Sequence, residues 1–393
     1  MNFVLLNLQQ FKKNQPMYQE EEDIIVNNNQ RIIRAAITHG DFNGIGYEII
    51  LKTFNDHRIM ENLTPIVFGS SKIASFYKKM LPEINVGINL VKNAGSAGQK
   101  RLNFVNIIQD EVKVDVGLST EFAGKLAFQS LELACDEMGK NCDVLITAPI
   151  NKENIQSENF KFPGHTEYLA EKFKSKETMM IMVSSVMKIG VITGHIPITE
   201  VASVINKNLI IKQIKIFEKS LKRDFGIRKP RIALLGLNPH AGDNGVIGKE
   251  EIESIIPAIN QAKDEGILAN GPFPSDGFFG SGEYKKYDGI LAMYHDQGLI
   301  PFKSLSFDDG VNFTTGLPIV RTSPGHGTAY DIAGKDMANE SSFRSALYLA
   351  CDIFEKRLEY DEINANPLGF SNYDFGKDDY ISEIEGLEVE ADL

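Results

Sequence analysis

The chain has 393 residues, 42% of them hydrophobic and 24% charged, with a formal net charge of -12. That length exceeds one ordinary core and suits two domains, and that charge argues against a broad nucleic-acid surface, which needs a basic face, while leaving room for a local basic pocket. Cys135, Cys142 and Cys351 form no C-x-x-C pair, so neither a thiolate zinc site nor a disulfide framework is indicated, and a reducing cytoplasm fits.

Residues 1–30 open on a short apolar run whose basic residues follow rather than precede it, a poor pattern for a signal peptide. They read as a polar N-terminal extension. No run approaches the roughly 20 apolar residues that span a bilayer. From residue 31 onward, short β-branched runs alternate with helical patterns. "RIIRAAITHG" and "TPIVFGS" read as strands, with the helix start "GIGYEIILKTF" between them. His57 follows in a polar, helix-like stretch. Residues 119–139 place Ala123, Leu126, Ala127, Leu131, Ala134, Cys135 and Met138 at helical spacing. Ser119 is the expected cap there, with Glu121 in the first turn, where a carboxylate suits the helix dipole. "CDVLITAPINK", "VMKIGVITGH", "KPRIALLGLNPH" and "YDGILAMYH" read as further buried strands. The alternation predicts an α/β protein with a largely parallel sheet. Residues 361–393 are acidic and weakly periodic, and read as a tail or a surface-packed appendage.

Three of the seven histidines share one context. His195, His240 and His295 each follow an apolar strand, in "VITGHIP", "LLGLNPHAG" and "LAMYHDQG". In open α/β sheets ligands bind beyond the carboxyl ends of the strands. Three imidazoles there describe a catalytic metal site, with zinc the leading candidate. The alternative is three hydrogen-bonded loop histidines, since the spacing matches no short zinc motif.

Two glycine-rich loops stand out. "THGDFNGIGYE" leads from a strand into a helix without a Rossmann or P-loop fingerprint, yet Gly40, Gly44 and Gly46 would permit close approach of an anion. A tight strand-to-helix turn without a ligand explains it equally. "RTSPGHGTAYDIAGKD" carries Arg321, His326, Asp331 and Lys335, a polar density that points to function. Lys303, Asn312 and Arg321 fall within a short span after His295 and suit a phosphate or carboxylate. His165 and Thr166 sit at a helix start, where Thr166 could instead be a cap.

"TAPINK", "GHTEYLA", "TGHIPI", "GLNPHAG", "MYHDQGLIPFK" and "GVNFTTGLPIVRTSPGHGTAYDIAG" together resemble the 4-hydroxythreonine-4-phosphate dehydrogenase family of pyridoxal phosphate biosynthesis, in order from about residue 31 to about residue 355. The two glycine loops also resemble those of isocitrate and isopropylmalate dehydrogenases, which bind NAD without a Rossmann fingerprint. The resemblance implies two α/β domains with a cleft between them, one formed by residues 31–140 and 296–360, the other by 141–295. It implies His195, His240 and His295 as ligands of one divalent metal, zinc first, with magnesium or cobalt as alternatives. It implies His165, Thr166, Lys303, Asn312 and Arg321 as substrate residues, with Asp296 and Lys303 in catalytic roles. Gly40, Asp41, Gly44, Gly46, His326, Gly327 and Asp331 would serve NAD, and a carboxylate at Asp331 would disfavour NADP. Alternatively Asp331 caps a helix or pairs with Lys335. A cytoplasmic homodimer that shares its active sites across the interface is also implied, with neither nucleic acid nor membrane as partner. The family's usual first loop is "GDPAGIGPE"; Phe42, Asn43 and Tyr47 depart from it, which puts that loop's rigidity in question.

The chemistry so implied is oxidation of a secondary hydroxyl with NAD, giving a 3-oxo acid that loses carbon dioxide. Two other readings remain open. One is a dehydrogenase of the same family acting on threonate or erythronate 4-phosphate. The other is a zinc hydrolase in which the three histidines activate water.

Overall fold

A computed structural model describes residues 31–366. Twelve strands form one sheet: β1 (Ile33–Thr38), β2 (Leu63–Gly69), β3 (Ile88–Val91), β4 (Leu102–Asn106), β5 (Val144–Thr147), β6 (Met179–Val183), β7 (Lys188–Thr193), β8 (Arg231–Leu235), β9 (Leu268–Phe273), β10 (Gly289–Tyr294), β11 (Val311–Thr315) and β12 (Val320–Pro324). Their order is β3-β4-β2-β1-β5-β12-β11-β6-β7-β10-β8-β9. The sheet is parallel except where β11 meets β12 and β6, and where β6 meets β7. Strands β1, β2, β5 and β10 are almost wholly buried, as strands covered on both faces must be, which is why they read as continuous apolar runs.

Eleven α-helices accompany the described strands: α1 (Gly46–Asn55), α2 (Ile59–Asn62), α3 (Ser71–Met80), α4 (Glu121–Glu137), α5 (His165–Lys172), α6 (Ile198–Val204), α7 (Lys207–Arg223), α8 (Ile256–Asp264), α9 (Ser275–Gly280), α10 (His295–Leu305) and α11 (Ser341–Asn364). None is long and apolar enough to cross a membrane. The predicted apolar stripe of α4 is buried from Ala123 to Cys135.

Three local expectations change. Thr120, not Ser119, caps α4, accepting from the Ala123 amide, while the Ser119 hydroxyl accepts from the side-chain amides of Asn151 and Asn154, 3.2 Å from each. His57 lies in the turn between α1 and α2 rather than in a helix. The acidic C-terminal reading begins too early, because α11 continues to Asn364 and Arg223 holds Asp361 through two bonds of 2.9 and 2.7 Å. The N-terminal extension and the tail beyond residue 366 lie outside the described residues.

The departures in the first loop are all buried and engaged. Asn43 donates to the Leu118 carbonyl and the Thr120 hydroxyl and accepts from the Asp115 amide, at 3.0, 3.1 and 3.0 Å. The Tyr47 hydroxyl accepts from the Ser70 amide, and its ring stacks between His39 and Tyr77. Tyr77 in turn donates to the Phe42 carbonyl at 2.8 Å. Side-chain bonds thus hold the loop in place.

His39 yields a stability prediction. Burial pushes its imidazole down from 6.5 to about 4. The fold therefore keeps the ring neutral while an unfolded chain takes up a proton. This contribution is complete above pH 6.5 and is lost as pH falls through about 4, a total of about 3 kcal/mol. His39→Phe should flatten the decline of stability across that window, read from denaturant midpoints at several pH values. An unchanged slope would remove His39 from the account.

Candidate active site

Strands β7, β10 and β8 are neighbours and parallel, so their carboxyl ends share one edge. His195 lies two residues beyond β7, and His295 opens α10 immediately after β10. Their rings meet with centroids 5.8 Å apart. Each has a carboxylate behind it. Asp296 Oδ1 lies 2.7 Å from His295 Nδ1, and Glu167 Oε1 lies 3.8 Å from His195 Nδ1. A carboxylate on one ring nitrogen fixes the ring's orientation and leaves the other for a ligand. The neighbouring His195 holds the Glu167 carboxyl below its usual range.

His240 is placed differently. It is exposed, and it opens a run of positive φ from His240 to Asn244. Such a run is costly for residues with a Cβ. The buried Glu251 holds the approach to it: its carboxylate accepts from the amides of Leu237 and Asn238 at 2.7 and 2.8 Å and from the Asn238 side chain at 2.9 Å. His240 does not line the cleft that holds His195 and His295. Among the described residues, no group of three or more His, Cys, Asp or Glu is arranged to hold a metal.

That cleft encloses about 230 Å³. It brings together His165, Thr166, Lys303, Asn312, Arg321, His326 and Gly327, all expected from the sequence, with the histidine pair. Arg321 on β12 is 2% exposed. Its guanidinium donates to the Thr147 hydroxyl at 3.1 and 2.7 Å and to the Thr314 hydroxyl at 3.1 Å, and among the described residues no carboxylate pairs with it. Burial pushes it down to about 10, so it stays charged at neutral pH. A buried cation with hydroxyl partners only is strongly disposed to take an anion.

Other cleft groups are also unsatisfied. His165 Nε2, Asn312 Oδ1 and His326 Nε2 are shut from solvent with no hydrogen-bond partner. Burial lowers the His165 imidazole well below its ordinary value, with the positive charges of Arg321 and Lys152 adding to the effect. Thr166 does not cap α5; its hydroxyl lies 3.4 Å from that of Thr314.

The first glycine loop stands behind the cleft rather than in it. A Cβ at Gly40 (φ +67°) would lie 2.2 Å from the Pro149 carbonyl, and one at Gly44 would lie 2.6 Å from that of Thr328. These glycines are required by the protein's own backbone. The loop also braces the second glycine loop. Ile45 donates to the Thr328 carbonyl, and Asp41 accepts from the Tyr330 hydroxyl and the Asn154 side chain, at 2.7 Å each. Gly46 lies buried in the first turn of α1. Asp331 is exposed in the turn over 330–336 and forms no ion pair with Lys335.

Sequence reasoning passed over Lys152, Glu167, Thr147 and Ser323, which also line the cleft. Only "TAPINK" and "GHTEYLA", quoted as motifs without roles for these residues, could have found the first three.

The chain matches the family model described as pyridoxal phosphate biosynthetic protein PdxA over residues 61–350. A 4-hydroxythreonine-4-phosphate dehydrogenase of Bacteroides thetaiotaomicron is 51% identical over 344 residues, which cover 87% of this chain and 94% of the relative. A Sulfurihydrogenibium protein of the same name is 42% identical over 320 residues, 81% and 98% of the two chains. The crystal structure of a 4-hydroxythreonine-4-phosphate dehydrogenase from Klebsiella pneumoniae matches with a TM-score of 0.70 at 33% identity, covering 82% of this chain and 99% of that one.

Proposed function

From the premise that this chain belongs to the PdxA family, we propose that it oxidises 4-phosphohydroxy-L-threonine to 2-amino-3-oxo-4-phosphooxybutanoate with NAD and a divalent metal. The product loses carbon dioxide to give 3-amino-2-oxopropyl phosphate, in pyridoxal 5'-phosphate biosynthesis. One observation carries this reading: Arg321 is a buried guanidinium with no carboxylate partner among the described residues, facing a cleft that also holds Lys303. A small substrate with two anionic ends satisfies both cations.

Arg321 is held in place by Thr147 and Thr314 and meets one anionic end of the substrate. Lys303, on α10 with His295, meets the other. Asn312 Oδ1 accepts a hydrogen bond, and Asp296 keeps the His295 ring turned so that its Nε2 is free. The donor chemistry fits a metal: two adjacent imidazoles, each with a carboxylate behind it, here assigned to zinc, with magnesium or cobalt as alternatives. When bound, the metal would supply Lewis acidity at the substrate hydroxyl, and NAD would supply a hydride acceptor. His326 and Gly327 line the cleft and are the residues we assign to the cofactor, with Asp331 at the ribose and Asp41, Gly40, Gly44 and Gly46 bracing that loop. The division at about residues 140 and 296 belongs to the same reading, with β5 on the side of β1 by its pairing.

The third ligand, His240, then comes from a second copy of the chain. Its exposure outside the cleft supports this. So do the exposed apolar side chains that follow it, Val246, Ile247, Ile252 and Ile256, which a monomer would leave in water. Ile252→Asp should shift the protein toward monomer in sedimentation and lower activity in parallel. A fully active monomer would sink the shared-site reading.

The substrate assignment is tested by comparing kcat/KM for 4-phosphohydroxy-L-threonine, D-threonate 4-phosphate and D-erythronate 4-phosphate. Preference for the first is expected. Preference for either other acid would keep the chemistry and change the substrate.

A further inference from the structure

We propose that Lys152 binds substrate, forming with Arg321 and His165 the end of the cleft that takes the dianionic phosphate, while Lys303 with Asn312 takes the carboxylate. The inference rests on the reading of the cleft as a phosphorylated-substrate site and divides its anion-binding groups into two ends.

Lys152 lies five residues beyond Thr147, the last residue of β5, which lines the same cleft. It lines the cleft together with Glu167, whose carboxylate feels its charge, but among the described residues it forms no ion pair. Its stem runs beside Gly164, the residue before α5: a Cβ built there would lie 3.9 Å from Lys152 Cε. A lysine near a helix start gains nothing from the helix dipole, which favours an anion at that end. A bound anion would serve both.

Three further observations place the partners. His165 Nε2 is closed off from solvent and has no hydrogen-bond partner. The positive charges of Arg321 and Lys152 both act on the His165 ring, and Gly164, the residue before His165, lies beside the Lys152 stem. Arg321 is held by Thr147, the last residue of the strand that leads to Lys152, whereas Lys303 lies on α10, the helix that His295 opens. Two cations and a neutral imidazole suit a dianion; one lysine and an amide suit a monoanion.

The test uses the full-length protein and two probes. Inorganic phosphate is titrated by calorimetry against the parent protein, Lys152→Gln and Lys152→Arg. Steady-state kinetics are run with 4-phosphohydroxy-L-threonine and with its unphosphorylated analogue, 4-hydroxy-L-threonine. Lys152 is exposed, so the variants should keep the parent melting temperature. Lys152→Gln should weaken phosphate binding and raise KM for the phosphorylated substrate, each by roughly tenfold. The change in kcat should be small, and KM for the unphosphorylated analogue should stay put. Lys152→Arg should restore most of the loss. Phosphate binding by Lys152→Gln equal to that of the parent would overturn the proposal, and so would an equal rise in KM for both substrates. If no phosphorylated hydroxy acid is turned over by the parent protein, the proposed function fails, and the phosphate titration still decides the role of Lys152.

Discussion

Arg321→Met is expected to lower kcat/KM for the phosphorylated substrate by a factor of roughly 30 to several thousand, the equivalent of about 2–5 kcal/mol for losing a buried charge partner. The size follows from the setting. The guanidinium is 2% exposed, is held by two threonine hydroxyls, and has no carboxylate among the described residues to neutralise it. The substrate anion is then its charge partner, in a place where water cannot substitute. Methionine fills similar space without charge, so the fold should survive; removing an uncompensated buried cation should even leave the protein as stable or more stable. NAD affinity, read by fluorescence titration, should change little. Equal losses for substrate and NAD would place Arg321 in the cofactor site, and an unchanged kcat/KM would remove it from the anion site.

The second large effect concerns His240. His240→Ala should lose most of its bound metal and nearly all activity, although the side chain lies outside the cleft of its own chain. His57→Ala, in a turn between two helices, should lose neither. Mixing then decides where His240 acts. The His240→Ala and Arg321→Met proteins are each strongly impaired, and each carries what the other lacks. If the site is shared, every mixed dimer contains one intact site, so equal mixing with free subunit exchange should restore activity to about a quarter of the parent value. If His240 serves its own chain, each mixed dimer has two damaged sites and nothing returns.

How much of this was legible in the sequence varies with the physics of each element. β5, β7, β8 and β10 are buried parallel strands, and their continuous apolar runs announced them. β3, β4, β9 and β12 were missed, and so were β6 and β11. "MMIMV" is methionine-rich rather than β-branched, and "VNFTT" is short and follows an acidic turn. These are the strands that run antiparallel in the middle of the sheet. The three strand-end histidines were visible because each follows an apolar run. That His195 and His295 meet while His240 stands away depends on the left-handed run at 240–244, which residue identity at His240, Ala241, Asp243 and Asn244 does not announce.

The role of the first glycine loop was legible only in part. Its tight turn was foreseen, but its bond to Tyr330 joins residues 289 positions apart, beyond any local pattern. Asn43 and Tyr47 looked like weaknesses beside the family's loop. In place, their side chains hold the loop through hydrogen bonds and stacking. Lys152 and Glu167 lay within quoted motifs, yet a single exposed lysine or a first-turn glutamate has an ordinary explanation until the cleft shows what it faces.

The central claim is oxidation of a phosphorylated hydroxy acid by NAD, and one measurement reaches it directly. The metal-loaded protein is incubated with 4-phosphohydroxy-L-threonine and NAD, while absorbance of the reduced cofactor and release of carbon dioxide are followed together. The account predicts one reduced cofactor and one carbon dioxide for each substrate consumed, with no free phosphate produced. Release of inorganic phosphate without any reduced cofactor would contradict it and leave the two cleft histidines to a hydrolase.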